Sequence, residues 1–147
     1  MKKLAIMAIL ATSAIAASAT DIGLRYNDNS NSITNSVGVV VDQKFGQFGA
    51  ELAFDRSTDG LKNDRYSVLG TYDVVTIFGA TVAAKTGVAY IRPSLGLDGY
   101  AAVVGAGVSY PLTKDLSAAV DYSYQRGQQR VGSYDGNTVS AGVKYSF

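Results

Sequence analysis

The chain contains no His and no Cys. A Ser-His or Asp-His couple is therefore excluded, and so is a thiol nucleophile. The groups left for acid–base work are Asp, Glu, Lys and Arg. Of these, Arg25, Asp42, Lys44, Glu51, Asp55, Asp73, Lys85, Asp121 and Lys144 recur within otherwise apolar stretches. Such a set reads as paired structural ions before it reads as a proton relay. Asn27-Asp28-Asn29-Ser30-Asn31 is oxygen-rich, as a calcium loop would be. It lacks the central Gly and the bidentate acid twelve positions along, so it reads as a solvated loop. No metal and no cofactor is expected.

The elements that carry these charges alternate with period 2, the signature of strands. In residues 138–147, Val139, Ala141, Val143, Tyr145 and Phe147 share one face, and Thr138, Ser140, Gly142, Lys144 and Ser146 the other. Residues 116–125 and 100–110 repeat the pattern, as do 82–90, 66–74, 48–54, 37–45 and 22–26. That predicts eight strands, the first and third short enough to extend into their loops. Long polar connections over 27–36, 55–64, 91–99 and 126–137 alternate with short links at 46–47, 78–79 and 111–115. The fold class this implies is all-β: an eight-stranded antiparallel up-and-down barrel, with both termini at the short-turn end.

A closed barrel can hide its apolar face or turn it outward, and the aromatic positions decide between the two. Tyr26, Phe54, Tyr66, Tyr90, Tyr100 and Tyr124 fall at the long-loop ends of the apolar face. Phe45, Phe48, Tyr72, Tyr110, Tyr145 and Phe147 fall at or near the short-turn ends. Aromatic girdles around an aliphatic band mark a barrel that faces lipid. A soluble lipocalin-like carrier, the competing reading, would scatter aromatics through its core. The charged face then points into the lumen, since a Lys or Arg facing mid-bilayer costs about 2–4 kcal/mol. Folding the hairpins predicts pairs Asp121–Lys144 and Asp73–Lys85, with Lys44 diagonal to Glu51.

Lys2 and Lys3, the apolar run over residues 4–11 and Ala17-Ser18-Ala19 have the order of a secretory signal peptide. The predicted division is a signal peptide over 1–19 and a barrel over 20–147. Removing Lys2 and Lys3 from the 13 basic residues leaves 11 against 12 acidic ones. This near-balance offers no basic stripe for nucleic acid. The charged residues near the long loops include Arg56, Lys62, Arg65, Arg92, Arg126 and Arg130, candidates for lipopolysaccharide phosphates.

The ending Val143-Lys144-Tyr145-Ser146-Phe147, with Gly107-Val108-Ser109-Tyr110-Pro111-Leu112 and the hairpin rhythm, resembles the small OmpA/OmpX-type outer-membrane barrels. The resemblance covers 20–147 as a pattern. It implies a monomer in the outer membrane among lipid and lipopolysaccharide, reached through the periplasm with chaperones. It also implies that Val143, Tyr145 and Phe147 form a C-terminal signal read by the barrel-assembly machinery. The expected role is non-enzymatic: envelope integrity or surface interaction, with a narrow ion-conducting pore as the alternative. Intact-mass measurement of envelope-extracted protein should give a chain beginning at Thr20. A mass that retains residues 1–19 would refute the cleavage site.

Overall fold

A computed structural model describes residues 20–29, 35–58, 63–94, 98–127 and 135–147. The expected signal peptide lies outside them. The strands are β1 (Thr20–Asn29), β2 (Ser36–Phe45), β3 (Phe48–Ser57), β4 (Asp64–Ile77), β5 (Ala80–Arg92), β6 (Gly99–Pro111), β7 (Leu116–Gly127) and β8 (Gly136–Ser146). Each pairs antiparallel with the next, and β1 pairs with β8, so the sheet closes on itself. Closure leaves no open sheet edge, which is what allows a sheet to sit in lipid.

Most strands run further than the alternation predicted. At the loop end, Asn27, Asn29 and Ser57 continue the inward face with polar side chains. The hydrophobic contrast fades there while the backbone ladder persists. At the other end, β4 passes Val74 through a bulge between Asp73 and Val75 and pairs on to Ile77. The tight turn that follows has Phe78 at φ 52° and Gly79 at φ 84°. Two left-handed residues are what a type I′ hairpin turn requires.

The outward rows are apolar, as expected. Leu24, Val39, Val68, Val88, Val104, Val120 and Val143 are all exposed, with Tyr26, Tyr100 and Tyr124 toward the long-loop end and Phe45, Phe48, Tyr110 and Phe147 toward the other. Rings also touch across strands: Phe54–Tyr66 at 5.0 Å, Tyr66–Tyr90 at 6.3 Å and Tyr90–Tyr100 at 5.1 Å. They form a continuous aromatic row over β3 to β6. This orientation is the reverse of a lipocalin-like barrel and overturns that reading.

Inside, glycines set where long side chains can lie. Gly38 stands in register between Arg25 and Asp55, Gly23 beside Lys144, Gly49 beside Lys44, and Gly107 beside Asp121. A Cβ on Gly38 would come 2.0 Å from Asp55 Oδ1, and one on Gly107 1.9 Å from Asp121 Oδ1. Gly in a strand costs roughly 0.5–1 kcal/mol relative to Ala, and here the cost is offset by room for a charged group. Gly38→Ala should therefore destabilise the barrel by about 1–3 kcal/mol, the range of overpacking. Gly70 faces outward, and its Cβ would meet nothing nearer than 3.7 Å, so Gly70→Ala should be neutral or mildly stabilising. Urea midpoints in detergent micelles compare the two, and equal losses would refute the packing argument.

Candidate functional site: the charged lumen

The lumen has an ionic side and an apolar side. Leu69, Ala89 and Val103 from β4, β5 and β6 form a buried cluster, with Ile91 buried above it.

Arg25 holds the upper layer. Its Nε donates to Asp55 Oδ1 at 2.8 Å and its Nη2 to Asp55 Oδ2 at 2.6 Å, a two-pronged fork. Its Nη1 donates to Glu51 Oε1 at 2.9 Å. Asn27 donates from Nδ2 to Asp55 Oδ1 at 2.9 Å and accepts at Oδ1 from Ser140 Oγ at 2.6 Å. The same Glu51 accepts from Lys85 Nζ at 2.6 Å through Oε2, and Lys85 lies 2.7 Å from Asp121 Oδ1. A continuous chain Asp55–Arg25–Glu51–Lys85–Asp121 thus crosses the barrel. Glu51 and Asp55 are each only 1 % exposed. Each is held by a cation and fixed in direction, the condition under which buried charge is tolerable.

Below that layer Lys144 donates to Asp42, and Lys44 pairs with Asp73 at 2.5 Å. A cavity of about 60 Å³ lies between the layers, lined in part by Asp42, Lys44, Glu51, Lys85, Asp121 and Lys144. It is polar and has room for a few waters.

The structure brings all the predicted lumenal charges together, but not in the predicted pairs. Across the β7–β8 hairpin Asp121 faces Ser140 and Lys144 faces Ser117, so Asp121–Lys144 does not form. Lys85 takes Glu51 and Asp121 instead of Asp73, and Lys44 takes Asp73 instead of Glu51. The reason is curvature. In a narrow barrel the inward side chains of strands two apart converge toward the axis, so long charged side chains reach across the strand between them. Four of the bridges therefore skip a strand and cross the glycine on it: Arg25–Asp55 over Gly38, Lys144–Asp42 over Gly23, Lys44–Asp73 over Gly49, and Lys85–Asp121 over Gly107. The inward glycines were the available signal in the sequence, and hairpin reasoning missed them.

Among the candidates for phosphate contact, Arg56, Arg92 and Arg126 do face outward near the long loops, and all three are exposed. Lys62 and Arg130 lie outside the described residues. Arg65 is a correction. It pairs in register with inward-facing Asp55 and lines the lumenal voids of about 20 Å³ near Asp55 and beside Glu51. Its Nε is buried and has no hydrogen-bond partner. The alternation places residues 65, 67, 69, 71 and 73 of β4 on one inward face, so proximity to the loop was a poorer guide than parity. Val143, Tyr145 and Phe147 lie on the outward row of β8 and its end. Tyr145 and Phe147 stack edge-on at 5.0 Å.

A double-mutant cycle tests the revised pairing. Lys144→Met strands Asp42, and breaking a buried pair costs about 3–5 kcal/mol. Adding Asp42→Leu should recover much of that loss, a coupling beyond the ~0.5 kcal/mol of independent sites. Lys144→Met with Asp121→Leu should instead lose stability additively. Urea midpoints that show the opposite would restore the hairpin pairing.

No family profile matches the chain, and no curated protein matches it in sequence. Solved structures do match its shape. The N-terminal β-barrel domain of Pseudomonas aeruginosa OprF superposes with a TM-score of 0.76 at 16 % identity, over 88 % of this chain and 98 % of that one. Neisserial surface protein A gives 0.65 at 15 % identity, over 88 % and 96 %. A transmembrane β-barrel made by de novo design gives 0.57 at 15 % identity, over 88 % and 96 %. At these identities the likeness concerns architecture, and it extends to a designed sequence. The chain has the fold of the OmpA/OmpX-like eight-stranded outer-membrane barrels.

Proposed function

We propose that the protein is a non-enzymatic outer-membrane barrel with a closed interior, serving envelope integrity or presenting its loops at the cell surface. The observation that carries this reading is the bonded layer from Asp55 through Arg25, Glu51 and Lys85 to Asp121. It crosses the lumen side to side, and Leu69, Ala89 and Val103 form a buried cluster on β4 to β6. Eight strands enclose an interior just wide enough for side chains, so such a layer acts as a plug. The same bonds argue against catalysis. The carboxylates of this layer are committed to cations, which leaves no poised acid–base pair among them.

A second reading, a narrow ion-conducting pore, has one observation in its favour. The polar cavity of about 60 Å³ lies on the short-turn side of the plug and is lined by both signs of charge. Planar-bilayer recordings separate the readings. Refolded wild-type protein should leave the bilayer at its protein-free conductance. Glu51→Ala removes the group shared by Arg25 and Lys85 and should raise the frequency of openings. Steady wild-type currents would establish the pore instead. A wild-type chain that shows no heat-dependent gel shift after refolding would count against the membrane barrel altogether.

A further inference from the structure

We propose that Arg65 is the tethered counter-ion of the plug. Its guanidinium takes the place that an entering cation would occupy, and so closes the lumen to cations. The inference rests on the closed-barrel reading above and assigns part of that closure to a residue outside the bonded chain.

The charges of the bonded layer do not balance by themselves. The chain Asp55–Arg25–Glu51–Lys85–Asp121 holds three carboxylates and two cations. Below it, Asp42 pairs with Lys144 and Asp73 with Lys44, and these cancel. Asp21 lines the cavity beside them and adds a further carboxylate. The layer is thus one negative charge in excess, and nothing below it has a cation to spare. Arg65 supplies that charge. It stands in register with Asp55 and lines a void beside Glu51 and Asp121. An arginine keeps its proton in proteins, so the balance holds at any ordinary pH.

Arg65 is nevertheless held differently from the other cations. Both oxygens of Asp55 receive the Arg25 fork, and Glu51 receives Arg25 and Lys85. Among the described residues Arg65 joins no ion pair, and its Nε is buried without a hydrogen-bond partner. A cation that balances charge without directional bonds can be replaced by another cation that fits.

The surrounding space shows how one would arrive. A void of about 20 Å³ separates Arg65 from Asn29, Ser57 and Asn63 toward the long-loop end. A second, also of about 20 Å³, lies between Arg65 and the Glu51, Lys85 and Asp121 side chains. Arg65 is the residue that both voids share. The second void shares Glu51, Lys85 and Asp121 with the 60 Å³ cavity on the short-turn side. Each small void has room for about one water. Open space therefore runs along the lumen with two interruptions, the contacts of Lys85 and the side chain of Arg65. The first is bonded and the second is not. Shortening Arg65 joins the small voids and leaves the layer with an unbalanced carboxylate. A small monovalent cation suits that charge, and an anion does not.

Planar-bilayer recordings under a potassium chloride gradient test this, on refolded protein whose insertion is checked by its heat-dependent gel shift. Arg65→Ala should open a conductance that carries potassium several-fold over chloride. Guanidinium at low millimolar concentration should block that conductance by restoring the missing group, whereas added sodium should not. Arg65→Gln removes the charge but keeps much of the bulk, and should open it too. Arg65→Lys should remain as closed as wild type. Openings caused by Glu51→Ala should ignore guanidinium, because Arg65 is still in place. Inserted Arg65→Ala and Arg65→Gln that stay silent would overturn the assignment and leave the closed barrel standing. So would openings with no preference for potassium, or openings indifferent to guanidinium. Steady wild-type currents would overturn the closed reading. Arg65 would then still have to oppose cations, and an unchanged potassium preference in Arg65→Gln would overturn this inference as well.

Discussion

The interior of this barrel is too narrow for bulk water and too polar for oil, and the placement of its cations follows from that. A lone buried Lys or Arg would cost several kcal/mol in desolvation. Among the described residues four of the five inward cations escape by pairing, with Glu51 shared between Arg25 and Lys85, and Lys85 shared between Glu51 and Asp121. The pairs need reach, and at four of them the skipped strand carries a Gly that leaves room. Arg65 differs: it stands in register with Asp55, whose carboxylate the Arg25 fork occupies, and its own Nε is buried without a hydrogen-bond partner.

The outside answers a different solvent. In lipid there is no hydrophobic penalty for exposed Leu24 or Val104, and the aromatic rows mark where that solvent ends. Polar groups return just beyond them. Tyr122 donates to Asn137 at 2.8 Å, and Arg56 bonds Asp64 beyond the aromatic row. The same strands thus obey opposite rules on their two faces. Each rule reinforces the other, because slipping β2 by one residue would put Asp42 and Lys44 in lipid and Val41 in the ionic network.

A fold shared with a designed barrel says little about role. What distinguishes this chain is the content of its lumen and rim. The plug argues for a closed barrel whose contacts with the cell lie on its surface.

The alternation of residue types by itself determined the strand number, the inward and outward faces and the two aromatic girdles. Those depend only on period and parity, which are local properties of the chain. Parity alone also placed Arg65 inward, although its nearness to a loop suggested the rim. The ends of β1, β3 and β4 escaped the pattern because polar inward residues and a bulge continue the ladder without hydrophobic contrast. The pairing of charges was settled only by the tertiary structure. A hairpin seen flat sets Asp121 near Lys144, but closing eight strands into a tight cylinder swings inward side chains across the neighbouring strand. Lys144 then meets Asp42, far away in sequence, over the one residue type with no side chain to obstruct it.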